Sequence, residues 1–295
     1  MRELNLNRKP LVSIVVPVHN GERFLTETLQ SAISSTHRPL EIIVIDDGST
    51  DGSANIAKEV LDSADVVSQV ITQENLGEPL AVNRGVAESS GEYFMVLSAD
   101  DLIEPALVEK SLKIMESNSE IGVVYSDQKT IDEFGRTKGL DEKPDYSIKK
   151  LFGELHCLPG VGALVRSSAL QGLPPRDPRY GLISDYVFWL RLSTVTRFQR
   201  FPAFLGSWRV HSGGTTSFMS TRDWGRQLID AMEDFFSTQS LGKEHLAIKK
   251  QTRSLVYLVG GRRQRFPRNL FLIAKSFLIS PGHWFKLALT SWRRK

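Results

Sequence analysis

Through the first 125 positions, apolar residues come in short, almost unbroken runs, and the stretches between them repeat apolar positions at helical spacing. The runs at 12–16, 41–45, 66–71, 92–97 and 121–125 are rich in Val and Ile. That pattern predicts strands covered on both faces, as in a parallel sheet. Helical patterns at 22–35, 51–62, 79–89 and 105–117 separate them, which is the alternation of an α/β sheet flanked by helices. Pro79 and Pro105 fall in first turns, where no N–H is required, and Asp51 stands where it can cap the second helix.

The second half is less regular. Residues 127–160 mix charge with Gly and Pro and read as a long loop with a short helix. A strand at 161–166, a Pro-rich segment at 173–178, a helix at 185–195 and a strand pair at 199–210 follow. From 222 onward the pattern is helical. The transition at 215–222 divides the chain into a domain at 1–220 and a helical, basic region at 221–295.

Composition changes this picture mainly at the end of the chain. Of 295 residues, 41% are hydrophobic, enough for one large α/β domain or for one domain plus an appendage. The single cysteine, Cys157, leaves no internal disulfide and fits a reducing compartment. The first ten residues lack an apolar signal core, and no run approaches the roughly 18–20 apolar residues of a spanning helix. A cytoplasmic protein is expected. Net charge is +3, yet residues 245–295 hold twelve Lys and Arg and no Asp or Glu, leaving −9 for the rest. In that tail Arg262, Arg263 and Arg265 precede Phe266, Leu270, Phe271, Phe277 and Leu278, and Trp284 and Trp292 precede Arg293-Arg294-Lys295. Basic residues beside aromatic and aliphatic ones suit an anionic membrane surface. A helical pair packed on the domain with a solvated basic side is the alternative. Nucleic acid is not expected as a partner, because no recognised nucleic-acid motif accompanies the charge.

Candidate chemistry clusters just after the strands, where open parallel sheets bind ligands. Pro17-Val18-His19-Asn20-Gly21-Glu22 follows the first strand, Asp46-Asp47-Gly48-Ser49-Thr50-Asp51 the second, and Ser98-Ala99-Asp100-Asp101 the fourth. Turn formation alone explains any one of these clusters. Their shared register does not follow from turn chemistry. Neither a G-x-G-x-x-G fingerprint after the first strand nor a G-x-x-x-x-G-K-[ST] loop is present. Phosphates held without such a loop usually need a divalent cation, for which adjacent carboxylates supply oxygen ligands. Asp100-Asp101 is such a supply; helix capping is its bland alternative.

In order and spacing, Val12 through Asn20, Ile45-Asp46-Asp47-Gly48-Ser49-Thr50-Asp51, Asn75-Leu76-Gly77, Asn83-Arg84-Gly85, Gly91-Glu92-Tyr93 and Leu97 through Asp101 resemble family 2 glycosyltransferases of the GT-A fold. Asp185 through Arg191 resembles that family's acceptor-side segment, and Trp208-Arg209-Val210-His211 its later His motif. The likeness spans about residues 11–216. It implies a Rossmann-like, mainly parallel sheet flanked by helices, with a helical C-terminal extension. It also implies an inverting transfer from a nucleotide-diphosphate sugar, a UDP-sugar being favoured. The acceptor would be a hydroxyl of a glycan or lipid-linked oligosaccharide in surface polysaccharide biosynthesis. Pro17, His19 and Glu22 would line the nucleoside pocket, Asp47 would bond the base and Asp46 would stabilise its loop. Asp100 and Asp101 correspond to the DXD region that contacts the ribose and holds Mg²⁺ or Mn²⁺. His211 falls where some relatives supply a further ligand, and Asp185 falls at the catalytic base.

Two positions depart from the pattern. Ser98 stands at the first acid of DXD, and Ser184 at the usual Glu before the base. The Q-x-x-R-W signature of processive synthases is absent. Two other readings stay open: a non-catalytic binder of nucleotide sugars or glycans, and a transferase to polyprenyl phosphate, whose acceptor needs no base.

Overall fold

The computed structural model describes residues 8–214, 221–265 and 267–284. It contains two compact units. One comprises Met1–Asp145, Pro159–Arg176 and Thr196–His211; the other comprises Tyr146–Leu158, Asp177–Val195 and Ser212–Lys295.

The first unit carries the sheet. Its elements run β1 (Val12–Val18), α1 (Glu22–Ile33), β2 (Leu40–Asp47), α2 (Ser53–Asp62), β3 (Val67–Gln73), α3 (Glu78–Glu88), β4 (Tyr93–Val96) and β5 (Leu102–Ile103). They continue with α4 (Leu107–Ser117), β6 (Ile121–Ile131), β7 (Thr137–Asp141), β8 (Leu164–Arg166) and β9 (Arg197–Arg209). The strand order is β3-β2-β1-β4-β8-β6-β9-β5, with β7 beside β6. The half built from β3, β2, β1 and β4 is parallel. In the other half β8 runs antiparallel between β4 and β6, and β9 runs parallel to β6. Two reversals restore direction, so β6 and β9 point the same way as β1.

The continuous apolar runs do their expected work in β1 and β2, whose residues are nearly all buried. Val12, Ile14 and Val16 face a core completed by Leu25 and Leu29 of α1, Ala57 and Leu61 of α2 and Leu107 and Leu112 of α4. Ile43 and Ile45 face the other way, toward Ala81 of α3. There Gly85 permits close approach: a Cβ would lie 2.3 Å from Cγ1 of Val15 and 3.1 Å from Cγ1 of Ile45.

Several elements differ from their expected form. β3 is the outer strand rather than a covered one, and Val67 is 70% exposed because only β2 flanks it. Pro105 precedes α4 by two residues instead of lying in its first turn, whereas Pro79 does stand in the first turn of α3. Residues 127–141 are not loop. β6 continues to Ile131 and turns back as β7, with Oδ1 of Asp132 accepting from the N–H groups of Phe134 and Arg136. Its polar residues are buried but answered. The Arg200 guanidinium grips both oxygens of Asp127 at 2.8 and 2.7 Å, and Oε1 of Gln128 accepts from Val161 N at 3.1 Å. The expected strand pair at 199–210 is one 13-residue strand, β9, whose register shifts against β6 around Asp127.

The second unit is helical: a π-helical turn (Lys149–Gly153), a 3₁₀ helix (Pro178–Ile183), α5 (Ser184–Leu192), α6 (Thr221–Thr238), α7 (Lys243–Arg262) and α8 (Arg268–Ile279). Phe152 packs among Phe235, Phe236 and His245. α6 and α7 touch backbone to backbone, since a Cβ on Gly260 would stand 2.7 Å from the carbonyl oxygen of Gly225. α8 buries Leu272 and Ser276 and leaves Leu270, Phe271 and Leu278 exposed. The sequence expectations for Phe266 and for residues 285–295 lie outside the described residues. No described helix is long and apolar enough to cross a membrane.

The close fit of α3 makes one outcome definite. Gly85→Val should destabilise the sheet unit by about 1–3 kcal/mol through overpacking, read as a lower urea midpoint. An unchanged midpoint would contradict the packing described.

Candidate active site

The carboxyl ends of β1, β2, β3, β4 and β9 share one edge of the sheet, and the loops that leave them are knitted together by polar contacts. Asn20 takes a left-handed conformation (φ 52°), which Asn tolerates better than most residues. Its backbone N–H donates to Oγ of Ser49 at 2.9 Å, and its Oδ1 accepts from Thr50 N at 2.8 Å. Oε2 of Glu22 accepts from Gly52 N at 2.8 Å. Pro17 is the penultimate residue of β1 and is partly exposed, ahead of buried Val18. Glu22 therefore ties the loop after β1 to the start of α2.

Asp46 and Asp47 are almost inaccessible, at 2% and 3% exposure. Asp46 Oδ1 accepts from Ser49 N at 3.2 Å, holding its own loop closed. Asp47 reaches across to the loop after β3. Its Oδ1 accepts from Leu76 N at 2.9 Å and Gln73 Nε2 at 2.7 Å, and its Oδ2 from Gly77 N at 2.7 Å. Gly48 (φ +68°) is needed at this crossing, where a Cβ would lie 2.7 Å from Asn75 N. His19 Nδ1 lies 2.8 Å from the carbonyl oxygen of Asp47. A carbonyl only accepts, so Nδ1 carries the proton, and in the neutral ring Nε2 accepts from Asn20 and Asn75, both at 3.2 Å.

The second group of residues surrounds the turn after β4. Asp100 is partly open, its side chain 29% exposed, and its Oδ2 stands 3.0 Å from Nε2 of His211. Asp101 is 6% exposed and turns inward, where Oδ1 accepts from the backbone N–H of Arg209 at 2.9 Å. Burial first, and the neighbouring Asp100 carboxylate second, push the Asp101 carboxyl well above the usual carboxylate range. This turn also meets the loop after β1. Thr28 Oγ1 donates to Ala99 O at 3.0 Å, and a Cβ on Gly21 would lie 3.5 Å from that of Ala99. Ser98, at the departure from the DXD pattern, is exposed.

The residues expected to act on the donor thus fall into two sets within one unit: Pro17, His19, Glu22, Asp46 and Asp47 in the first, Asp100, Asp101 and His211 in the second. Asp185 belongs to the helical unit. It is the second residue of α5 and exposed, while its helical neighbours Ser184, Tyr186 and Val187 are buried. Its Oδ1 accepts from Tyr186 N at 2.7 Å, and Sγ of Cys157 lies 3.9 Å from its Oδ2. The cap position of α5 is Ile183, so capping is not what Asp185 does.

The structure adds residues to which the sequence assigns no role: Gln73 at the end of β3 and Asn75 in the loop after it, Phe24 and Glu27 on α1, and Arg209. Arg209 was visible inside Trp208-Arg209-Val210-His211. Glu27 is one of two acids on the amphipathic α1, and nothing local distinguishes it.

Similarity to solved structures defines the fold. Staphylococcus aureus TarS, solved as residues 1–349 in complex with UDP-GlcNAc, matches 96% of this chain with 91% of its own, at a TM-score of 0.65 and 13% identity. The mannosyltransferase PcManGT from Pyrobaculum calidifontis, solved with GDP-Man and Mn²⁺, matches 97% of the chain with 80% of its own, at 0.66 and 15% identity. At such identities the likeness is one of fold, and the fold is that of GT-A glycosyltransferases. The model of glycosyl transferase family 2 matches residues 13–173, and this chain belongs to that family. An uncharacterized glycosyltransferase of Rickettsia prowazekii is 29% identical over 95% of the chain and 85% of its own length. One of Methanocaldococcus jannaschii is 30% identical over 68% and 71%. The chain is accordingly a glycosyltransferase.

Asp47 is the fastening between the β2 and β3 loops. Asp47→Ala should leave the N–H groups of Leu76 and Gly77 without their acceptor and cost about 1–3 kcal/mol, measurable by urea denaturation. A midpoint equal to wild type would show that the fastening contributes nothing.

Proposed function

We propose that the chain is an inverting, metal-dependent transferase that moves a sugar from a nucleotide diphosphate, with UDP-sugars favoured, to a hydroxyl of a glycan or lipid-linked oligosaccharide in surface polysaccharide biosynthesis. The observation that carries this reading is the pair of Asp100 Oδ2 and His211 Nε2, 3.0 Å apart at a turn that meets the loop after β1 at Gly21.

Among the described residues no group of three or more His, Cys, Asp or Glu forms a complete metal site. The pair still fits a Mg²⁺ or Mn²⁺ ion of the donor complex, because such ions commonly take one or two protein ligands and fill the rest with phosphate oxygens and water. Asp100 and His211 would hold it, and when bound it supplies positive charge against the departing diphosphate. TarS was solved with UDP-GlcNAc and PcManGT with GDP-Man and Mn²⁺, which supports a nucleotide-sugar donor and a divalent cation in this reading. Asp101, turned to Arg209 N, contributes position to this pair.

The remaining steps belong to side chains. His19, Asn75 and the Asp46–Asp47 loop receive the nucleoside, and Pro17 and Glu22 shape the rim. Asp185 takes the proton of the acceptor hydroxyl. The acceptor oxygen then bonds to the anomeric carbon as the bond to the diphosphate oxygen breaks on the opposite face, so configuration inverts.

The C-terminal helices give the protein a partner of a second kind, an anionic lipid surface, in a cytoplasmic, peripheral location on the inner membrane face. Twelve Lys and Arg against no acid in residues 245–295 supply the charge. Leu270, Phe271 and Leu278, at 61%, 68% and 76% exposure, supply the apolar face of α8, with exposed Arg265 and Arg268 beside it.

Asp185→Asn should lower transfer by about 100-fold or more, the scale of a lost general base, while isothermal titration still detects donor binding. Retained transfer would remove Asp185 from the mechanism and favour an acceptor already ionised, such as polyprenyl phosphate. For the lipid surface, Phe271→Asp with Leu278→Asp should abolish flotation with phosphatidylglycerol vesicles. Flotation equal to wild type would rule α8 out.

A further inference from the structure

Arg209 is the most heavily engaged side chain of the site, and none of its contacts is with solvent: the side chain is 0% exposed. Nη2 donates to Oε2 of Glu27 at 2.6 Å, Nε to the backbone oxygen of Asp100 at 2.7 Å, and Nη1 to the backbone oxygen of Asp132 at 3.3 Å. Its guanidinium lies 4.7 Å from the centre of the Phe24 ring, and the His211 ring lies 4.7 Å from the same ring. Its own N–H holds Asp101. One residue thereby joins α1, the turn after β4, the β6–β7 turn and the end of β9.

We infer that Arg209, charge-paired with Glu27, is a positioning residue that sets Asp100 against His211. This deepens the proposed reading of those two residues as the metal-facing pair and rests on it. A guanidinium serving only to close the fold would need acceptors, and any acceptors would do. Here the acceptors are the carbonyl of Asp100 itself and, through the backbone N–H, the side chain of Asp101, which brackets the turn on both sides. His211 follows two residues along the same chain, and its ring packs on the same phenyl group as the guanidinium. The position of each member of the pair is therefore referred to Arg209. Lysine cannot replace this arrangement, because a single ammonium lacks the planar fork that reaches Glu27, Asp100 O and Asp132 O together. Glu27 is half exposed, so its contribution is to orient the guanidinium more than to neutralise it.

The test is a double-mutant cycle on Mn²⁺ binding in the presence of UDP, followed by the electron paramagnetic resonance of free Mn²⁺, with thermal unfolding run in parallel. Arg209→Lys should weaken Mn²⁺ binding about tenfold or more, the scale for groups that orient metal ligands. His211→Ala should weaken it as well, and the double variant should be little worse than His211→Ala, since Arg209 acts through that pair. Losses that add, or wild-type affinity in a folded Arg209→Lys, would overturn the inference while leaving the metal reading intact. Wild-type protein that binds no Mn²⁺ with UDP would overturn both. If Arg209→Lys does not fold, Glu27→Gln carries the same cycle. It keeps a hydrogen-bond acceptor but not the charge, so a smaller loss with the same non-additivity is expected, and additivity again refutes the inference.

Discussion

Asp46, Asp47 and Asp101 are all nearly closed to water, and each is answered mainly by backbone N–H groups. A buried carboxylate without donors costs several kcal/mol, so the loops that carry these residues must fold to bring N–H groups to them. Asp46 closes its own turn through Ser49. Asp47 draws in the loop after β3 through Leu76 and Gly77. Asp101 fastens the end of β9 through Arg209. These fastenings shape one edge of the sheet into a site, and the groups left partly open on it, Asp100 and His19, are placed by groups that are not.

This arrangement separates two aspartates that look equivalent along the chain. Asp101 follows Asp100 directly, but the turn sends their side chains to different surroundings. One stands 3.0 Å from His211 and keeps contact with solvent; the other is nine-tenths buried beside a strand end. Proximity of the two charges raises the Asp101 carboxyl further, after burial has raised it most. Ser98, where the resembled pattern has an acid, removes a further negative group from the same turn.

The parallel half of the fold was legible because β1, β2 and β4 are covered on both faces and their sequences are accordingly apolar throughout. The ends of those strands were legible for the same reason, since polar residues begin where cover ends. The β6–β7 hairpin and the single long β9 were not. Asp127, Gln128 and Arg200 sit within strands as polar residues, and they are tolerated there because Arg200 pairs with Asp127 and Val161 N–H donates to Gln128, partners far apart in sequence. Local patterning cannot show such a pairing. β3 misled in the opposite sense, its apolar residues lying at an exposed edge.

The sequence alone therefore determined the α/β class, the family and the short polar segments where its chemistry lies, because these depend on burial period and on residues close along the chain. The tertiary structure decided which carboxylate faces outward, which residues hold it there, and that residues 177–195 pack with the C-terminal helices. Asp101 meets Arg209, and Arg209 meets Glu27, only after folding brings together segments more than a hundred residues apart.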